Sequence, residues 1–500
     1  VLKMVFMALM ILIPGAVVLS LLLRAVWITI SCYYLTPRRI RRVMAEQGVH
    51  GPAPRFLVGN LKDIAVLVKK TTSDDMEVRG HDIVGRLMPH YVLWSKTYGA
   101  SWLQQQGSKH FVGQGLLMAN GHSWFHQRRI VSPAFMADRL KLDLPLLDYN
   151  VITQSHAGYM VTCTKKMIKS LHDAIATGDD EVEIGGYLTR LTGDIISRTE
   201  FDSSYEKGRR MFQLLESLQS LTARSSRYLW IPGSRFLPSR FRREIKEMKV
   251  RVERLLMEII QSSKDGVEIG RSSSYGRGLL GMLLSEAQKK REGFSYSLPL
   301  VMDECKTFFF AGHETSALLL TWTVMLLATN PTWQERARAE VEQVCGDDPP
   351  SSEHLPKLTL LTMIINESLR LYPPATLLPR MVFEDIKLGD LHIPKGLSIW
   401  IPVLAIHHDA TIWGEDVHEF NPERFAGRSF ALTRHFLPFA SGPRNCVGQA
   451  YAMMEAKIIL AMLLSSFSFA ISDNYRHAPI NVLTLKPKYG VPVYLRPLRH

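Results

Sequence analysis

The sequence predicts a mainly α-helical protein with a minor β region. Two long stretches, residues 250–262 and 299–329, repeat apolar side chains with helical spacing. Residues 381–403 instead alternate apolar and polar side chains between turn signals, which is typical of a small sheet. Hairpin signals are few elsewhere along the chain, so helices dominate the prediction.

Length and composition narrow the class of protein. The chain has 500 residues, 46% of them hydrophobic, which is ample for a large core and far from the composition of disordered proteins. No linker-like stretch divides the chain after residue 60, so we predict one large domain over residues 61–500. The five cysteines are scattered without a C-x-x-C pair, which argues against zinc, iron–sulfur and dithiol sites and fits a reducing, cytosol-facing environment.

The net charge of +13 raises the question of a polyanionic partner. The basic residues are spread along the chain and no recognised nucleic-acid signature accompanies them, so we predict no nucleic-acid binding. A basic surface that faces an acidic protein or an anionic lipid explains the same charge.

Residues 1–35 are predicted to form a membrane anchor. Residues 4–34 are nearly all apolar, interrupted by Arg24, and long enough to cross a bilayer. The basic run TPRRIRR that follows predicts that the rest of the chain stays on the cytosolic side. A cleavable signal peptide is the alternative, but its apolar core would be shorter and end at a small-residue cleavage site. Residues 36–60, basic and then rich in Pro and Gly, are predicted to be a hinge.

A polar patch, residues 312–316, interrupts the apolar helix predicted over 299–329. Buried polar residues are costly unless they have partners, so the patch needs a reason. The zinc-protease motif H-E-x-x-H is excluded because position 317 is Ala317. Gly312 lets another group approach the backbone, and Thr315 can hydrogen bond to the preceding turn. We predict a helix opened to admit a ligand, with an acid and an alcohol beside it.

Glu367 and Arg370 lie three residues apart, on one face of a predicted helix. Apolar neighbours on both sides predict that this face is buried, so the two charges must satisfy one another or a third group. Arg424, in the segment FNPERF, offers that third group.

A single cysteine, Cys446, lies in the loop LPFASGPRNCVGQ just before a predicted helix. A lone cysteine is usually an inert buried residue. Here Gly442 and Gly448 permit tight backbone geometry, Arg444 supplies positive charge, and the helix directs its first amides at the sulfur, all of which favour a thiolate. Two roles stay open on this ground. A nucleophile needs a His base that the sequence does not place, and an axial haem ligand needs only the sulfur and cations for the haem propionates.

The loop Phe439-x-x-Gly442-x-Arg444-x-Cys446-x-Gly448 resembles the haem-binding loop of the haem-thiolate monooxygenases, the cytochromes P-450. Four more segments resemble motifs of this family in the family's order, between about residues 120 and 450. They are W-x-x-x-R at Trp124 and Arg128, AGHET at 311–315, E-x-x-R at Glu367 and Arg370, and PERF at 422–425. The resemblance implies the cytochrome P-450 fold around a buried haem b, preceded here by the N-terminal transmembrane helix.

The same resemblance implies roles for individual residues. Cys446 is expected to be the thiolate ligand of the iron, in a loop whose cofactor-binding positions include Phe439, Gly442 and Gly448. The haem propionates are expected to contact Trp124, Arg128, Arg380 and Arg444. Glu314 and Thr315 are expected to deliver protons during dioxygen activation. A structural set is expected to join Glu367, Arg370 and Arg424.

The resemblance also implies partners and a location. Electrons are expected to come from NADPH through a membrane-bound NADPH–haemoprotein reductase that docks on the basic face near Cys446. The protein is expected at the endoplasmic reticulum membrane, held by a single-pass anchor with its catalytic domain in the cytosol.

Segments at residues 30–52, 81–99, 101–121, 193–201 and 366–396 resemble the plant branch of the family that hydroxylates hormones and other small hydrophobic molecules, and above all its cytokinin-hydroxylating members. The implied reaction is trans-hydroxylation of the prenyl side chain of isopentenyladenine-type cytokinins, which gives trans-zeatin forms. A hydroxylase of a gibberellin, a brassinosteroid or a fatty acid is the alternative within this branch. The expected substrate contacts are Phe111, Phe308, Ala311, Gly312, Thr376 and Leu377.

Two segments depart from the family pattern. Between Gly99 and Ser101 the family has a strand pair and a short helix, where this chain has Ala100 alone. Residues 142–157 place Pro145 and a β-prone segment in a stretch that is otherwise helix-rich. A misjudged exon boundary at each place would produce this pattern. Because of the segment missing near Gly99, a third alternative is a haem-poor, non-catalytic membrane protein.

Overall fold

The structure is a computed structural model of the chain. It describes residues 16–17, 19–28, 30–55, 59–98, 114–135, 156–178, 180–201, 205–226, 240–268, 278–289, 296–427 and 434–498. Phe111, the junction after Gly99 and most of the unusual segment 142–157 lie outside the described residues.

Helices make up most of the described chain, as the sequence predicts. In chain order they are α1 (Thr36–Ala45), α2 (Leu61–Thr71), α3 (Val84–Leu87), α4 (Pro89–Tyr98), α5 (Gly121–Val131), α6 (His156–Ala176), α7 (Ile184–Phe201), α8 (Tyr205–Ser226), α9 (Arg240–Glu268), α10 (Leu279–Gln288), α11 (Leu298–Thr329), α12 (Pro331–Cys345), α13 (Thr359–Leu371), α14 (Val403–His407), α15 (Ala410–Trp413) and α16 (Gln449–Ser466). The two helices predicted from periodicity are α9, which is longer than expected, and α11.

The strands form small antiparallel sheets. They are β1 (Glu181–Glu183), β2 (Leu378–Met381), β3 (Ile386–Leu388), β4 (Leu391–Ile393), β5 (Ser398–Ile401), β6 (Phe467–Ile471), β7 (Pro479–Val482), β8 (Thr484–Pro487) and β9 (Pro492–Pro497). Pairing gives a β1–β9–β6 sheet and the two-stranded sheets β2–β5, β3–β4 and β7–β8. The β region predicted at 381–403 is confirmed, whereas the sheets formed after residue 466 were not predicted.

The long helix α11 runs through the core. Ser297, in extended conformation, precedes it, and proline follows at its first turn, where a missing N–H costs nothing. Its hydroxyl-bearing residues are accommodated because Thr321 and Thr323 donate to the carbonyls of Ala317 and Leu319, at 2.7 and 2.8 Å. Helix α7 packs along it, and α16 crosses it after the loop that holds Cys446. Residues of α7, α11 and α16 therefore belong to one core cluster.

Residues 19–28 are helical, and their apolar side chains are exposed, for example Leu21 at 60% and Trp27 at 63%. Within the described part of the chain, no helix combines the length and the apolar character that crossing a bilayer requires. The segment predicted as a hinge begins with α1, whose Ile40 and Met44 pack on Val382 of the β region. The first part of this segment is therefore a helix packed on the β region. Pro37 does not prevent this helix, because it lies in the first turn.

Candidate functional site

The loop that holds Cys446 is folded back on itself before α16. The Cys446 N–H donates to the Phe439 carbonyl at 2.8 Å, and the Asn445 N–H donates to the Gly442 carbonyl at 3.0 Å. Gly442 has a φ of 76°, in the left-handed region where a side chain costs energy. Ala440, with a φ of 59°, adopts the same region despite its side chain. These bonds fix the direction in which the sulfur leaves the loop.

Gly448 has a different role from the one expected. Its φ is −90°, and a side chain at this position would meet nothing nearer than Phe135, 4.0 Å away. The backbone geometry therefore does not require glycine here, and the reason inferred from the sequence is wrong. Gly448 precedes the first residue of α16, and its N–H reaches the sulfur of Cys446.

Cys446 is exposed although protein surrounds it. Cys163, Cys305 and Cys345 are buried. Burial raises the pKa of the Cys446 thiol, and the Gly448 N–H and the charge of Arg128 oppose that rise. The sequence suggested that every contact favours the thiolate. In the structure the effect of burial on the Cys446 pKa is larger than the opposing effects of the Gly448 N–H and the Arg128 charge, so the thiol is favoured. Metal binding releases a thiol proton, so an accessible sulfur in enclosing protein suits a metal ligand.

Arg128 on α5 is joined to the cysteine loop by a two-pronged contact. One guanidinium nitrogen donates to the Asn445 carbonyl at 2.7 Å, and the other donates to the Asn445 side-chain oxygen at 2.9 Å. Its charge also acts on Cys446. The cation that stabilises the sulfur is therefore Arg128, whereas the sequence had suggested Arg444. Asn445 was missed, since an asparagine between two recognised residues carries no signal of its own.

Arg444 turns towards the segment before α5. It donates to the Ala119 carbonyl at 2.7 Å and to the Asn120 side-chain oxygen at 3.0 Å, and its guanidinium lies 4.6 Å from the centre of the Trp124 ring. A guanidinium over an indole face is attracted by the ring's negative face. Three separate contacts therefore hold Arg444 in one orientation.

Arg380 on β2 lies close enough to act on Arg444. Burial, and then the charge of Arg380, lower the pKa of Arg444. Among the described residues, neither these two arginines nor Arg128 forms a salt bridge with a carboxylate. Two neighbouring guanidiniums without an acidic partner suit an anion with two carboxylates, which is what a haem presents.

Helix α11 has an opening in its otherwise buried surface. Ala311 is exposed and Thr315 is half-buried, one turn apart, whereas residues 307–310 and 316–329 are buried. The Thr315 hydroxyl donates to the Ala311 carbonyl at 2.7 Å. Its oxygen lone pairs stay available to a ligand on the open side. Ala311 and Thr315 therefore form an accessible strip on α11.

The glycine at 312 is explained by packing. A side chain there would meet Ile196 on α7 at 2.7 Å, so Gly312 allows the two helices to approach each other. The sequence suggested space for a ligand at this position, but the space is occupied by Ile196. The opening on α11 is formed by Ala311 and Thr315 instead.

Glu314 points away from that opening. It is buried, pairs with Lys486 on β8 at 3.0 Å and accepts a hydrogen bond from the Thr484 hydroxyl. Lys486 is 28% exposed, so the pair leads from the helix towards the surface. Both partners were missed because they lie on β8, a strand that the sequence did not predict.

Glu367, Arg370 and Arg424 meet in the core. Arg370 donates to both carboxylate oxygens of Glu367, at 2.7 and 2.8 Å, and both side chains are fully buried. Arg424 is 3.5 Å from the same carboxylate, and its shorter bonds, at 2.8 and 2.9 Å, go to Asp416. Arg370 also donates to the carbonyls of His407 and Val417. This set ties α13 to the chain that leads to the cysteine loop.

The expected substrate contacts are not all at the opening. Phe308 is 6% exposed and stacks on Phe135 with ring centres 5.3 Å apart. Thr376 is buried and accepts a hydrogen bond from Asn481 at 2.6 Å, and Leu377 is half-buried. Ala311 is the exposed one among these described residues. The stacked Phe135 also approaches Gly448, so it links α11 to the cysteine loop.

The arrangement fits a haem on three counts: an accessible cysteine sulfur, arginines without acidic partners, and an opened helix. A family model described as Cytochrome P450 matches residues 67–492. The chain belongs to the cytochrome P450 family. As a member of this family, the protein is a haem-thiolate monooxygenase that uses haem b and receives electrons from NADPH through a reductase.

Several named plant proteins resemble the chain over nearly its whole length. It is 58% identical to a protein named cytokinin hydroxylase from Arabidopsis thaliana, over 96% of this chain and 97% of that protein. A second Arabidopsis protein of the same name is 56% identical, over 95% of this chain and 96% of the relative. Cytochrome P450 734A1, also from Arabidopsis, is 35% identical over 97% of each chain.

Proposed function

We propose that this cytochrome P450 trans-hydroxylates the prenyl side chain of isopentenyladenine-type cytokinins and gives trans-zeatin forms. The observation that supports this is the gap in similarity among its relatives. The two proteins named cytokinin hydroxylase are 58% and 56% identical to it over 96% and 95% of the chain, whereas Cytochrome P450 734A1 is 35% identical over 97% of it. No comparable observation favours a gibberellin, a brassinosteroid or a fatty acid.

Haem, when bound, supplies the activation of dioxygen that inserts one oxygen atom into a C–H bond. Cys446 would hold the iron, with its sulfur kept in place by the Gly448 and Phe439 contacts. Arg380 and Arg444, with Trp124 beneath Arg444, would bind the haem carboxylates from one side. Arg128 would hold the cysteine loop in register and contribute positive charge to the same region.

Proton supply is assigned to Thr315, Glu314 and Lys486. Thr315 offers its oxygen on the open side of α11, while its proton is held by the Ala311 carbonyl. The Glu314–Lys486 pair extends from the next residue to a partly exposed ammonium group. A proton taken up by this pair from solvent would pass to the Thr315 oxygen when the Glu314 side chain turns towards it, while the Thr315 hydroxyl proton leaves the Ala311 carbonyl and is given up on the open side.

Apolar residues 1–35 are proposed to be a single-pass anchor in the endoplasmic reticulum membrane, with residues 61–500 as the cytosolic catalytic domain. The exposed apolar helix at residues 19–28 supports this, since such a surface is unfavourable in water. The basic helix α1 that follows supports a cytosolic position of the rest, with residues 36–60 as the connection.

The test is an assay in membranes that contain an NADPH–haemoprotein reductase. Isopentenyladenine nucleotides and NADPH are added, and trans-zeatin products are measured by mass spectrometry, with Cys446→Ser as the inactive control. We expect zeatin products and, on reduction under carbon monoxide, the red-shifted Soret band of a haem-thiolate protein. A normal band without zeatin products would overturn the substrate. No band at all would favour the haem-poor alternative raised by the departures near Gly99 and Pro145.

A further inference from the structure

A short turn before α5 is held by two consecutive carboxylates of α11. The Gln114 N–H donates to an oxygen of Asp303 at 2.8 Å, and the Leu116 N–H donates to an oxygen of Glu304 at 2.8 Å. Leu116 and Glu304 are buried, so neither group in that bond can turn to water instead. The second Glu304 oxygen accepts the Tyr296 hydroxyl at 3.1 Å.

Gly115, between the two bonded residues, lies directly on the helix. A side chain there would come within 2.4 Å of the Thr307 hydroxyl oxygen and 2.8 Å of the Asp303 carbonyl. Atoms that close must shift, and the second one belongs to the helix backbone. The turn therefore has one position against α11.

The far end of the same turn holds Arg444. The N–H groups of Met118 and Ala119 donate to the Gly115 carbonyl, at 2.9 and 3.0 Å, so residues 115–119 are joined in one hydrogen-bonded turn. Ala119 and Asn120 then accept the two hydrogen bonds from Arg444. Contacts thus run without a break from the Glu304 carboxylate to the guanidinium assigned to the haem.

We propose that Asp303 and Glu304 form a clamp that positions Arg444 through the 114–120 turn, so that Glu304 controls how firmly the haem carboxylates are held. Glu304 is a positioning residue, because it touches the turn and not the haem. The proposal rests on the proposed function only in that Arg444 is taken to bind a haem carboxylate.

The charge on Glu304 varies near neutral pH. Burial raises the pKa of Glu304 to about 7, against the opposing effect of its bonds to Leu116 and Tyr296. The other charged or titratable groups around it are Asp303, which is paired with Lys306 at 2.6 Å, the buried thiol of Cys305, and Glu286 on α10, which acts on Tyr296. The neutral acid keeps both contacts, since its carbonyl oxygen accepts from Leu116 and its hydroxyl donates to Tyr296.

Glu304→Gln reproduces that neutral acid, because the amide oxygen accepts and the amide nitrogen donates in the same places. Glu304→Ala removes both bonds and leaves the Leu116 N–H buried without a partner. Glu342→Gln, an exposed glutamate on α12, is the matched control. The measured quantity is the rate at which haem leaves the loaded protein and passes to apomyoglobin.

We expect haem release to be unchanged in Glu304→Gln and Glu342→Gln, and about tenfold faster in Glu304→Ala, as an orphaned buried donor implies. In an Arg444→Ala background, the Glu304→Ala effect should largely disappear, because the clamp acts through Arg444. Independent, multiplying effects of the two substitutions would overturn the proposal, as would a Glu304→Ala rate equal to wild type.

Two additions keep the test decisive. If Glu304→Ala does not fold, Asp303→Ala breaks the outer half of the clamp and enters the same cycle with Arg444→Ala. The unfolding midpoint of the wild type should fall, relative to Glu304→Gln, between about pH 5 and 7 and then level off, since burial raises the carboxyl pKa in the folded state. A parallel pH profile of the two proteins would contradict a buried, titrating Glu304. Absence of zeatin products would affect neither result.

Discussion

Lys486 on β8 pairs with Glu314 on α11, with 3.0 Å between its ammonium nitrogen and a carboxylate oxygen. Glu314 is next in sequence to Thr315, whose hydroxyl lies on the open side of the same helix. Consecutive residues point about 100° apart around a helix, so the acid and the alcohol serve different surroundings. Lys486 on β8 thereby connects solvent to Glu314, the residue before Thr315, which is the proposed proton donor.

The first prediction concerns this pair. Lys486→Met removes the ammonium group, so we expect product formation to fall about tenfold or more, because positioned proton transfer contributes at least that much. NADPH consumption should fall less than product formation, since the substitution leaves electron supply intact. Lys488→Met, on an exposed neighbour, is the control. Equal loss of both rates would argue against a role in proton supply, and the two rates are followed in one assay.

The buried pair Glu367–Arg370 gives the second prediction. Arg370→Ala leaves a fully buried carboxylate without its main partner, so we expect a loss of about 3–5 kcal/mol in the free energy of unfolding. The exposed pair Arg336–Glu423 has the same N–O distance, 2.7 Å, as the Arg370–Glu367 contact. Arg336→Ala should cost at most about 1 kcal/mol because solvent screens that pair. Denaturant unfolding of both variants measures the difference, and equal losses would contradict the assignment of Arg370 as a core ion-pair residue.

The ion pairs Glu367–Arg370 and Glu314–Lys486 show which contacts can be predicted from the sequence and which cannot. Glu367 and Arg370 are three residues apart on one helix, so helical spacing alone puts them together. Glu314 and Lys486 lie on elements that meet only after folding, and β8 is four residues long, too short for a periodic pattern. Lys486, the partner of Glu314, therefore could not be predicted from the sequence.

The haem-side residues divide in the same way. The loop around Cys446 could be predicted because its glycine, arginine and cysteine are local. That Arg128, and not Arg444, supplies the charge beside Cys446 could not be predicted, since each arginine binds a segment over 300 residues away along the chain. Gly312 was misinterpreted for a related reason: Ile196, which fills the space beside it, belongs to another helix.

A third prediction concerns Glu455, a fully buried carboxyl on α16. Burial raises the pKa of Glu455 to about 8, the nearby Ser316 hydroxyl opposes that rise, and neither carboxyl oxygen has a hydrogen-bond partner among the described residues. Because the folded-state pKa is raised, the protonated acid suits the folded protein, and stability falls as pH rises towards that value. Relative to Glu455→Gln, the wild type should lose about 1.4 kcal/mol per pH unit between roughly pH 5 and 8 and little more above.

Unfolding in denaturant at a series of pH values tests this slope. Glu455→Gln stays neutral throughout, so subtraction isolates the one carboxyl from all other titrating groups. If the two proteins showed the same pH dependence, Glu455 would have to be ionised in the core, with a cation that the described contacts do not provide.

The last prediction concerns the two-pronged contact between Arg128 and Asn445. Arg128 spans the backbone and side-chain oxygens of Asn445 with two different nitrogens, which a lysine ammonium group cannot do in the same geometry. We therefore expect Arg128→Lys to keep the positive charge but to hold less haem, by roughly the factor of ten that one charge-assisted hydrogen bond represents. The carbon monoxide difference spectrum per mole of protein measures the loaded fraction. Arg129→Lys, on the exposed neighbour, should load like the wild type. Full loading of Arg128→Lys would mean that charge alone, and not the fork on Asn445, keeps the cysteine loop in place.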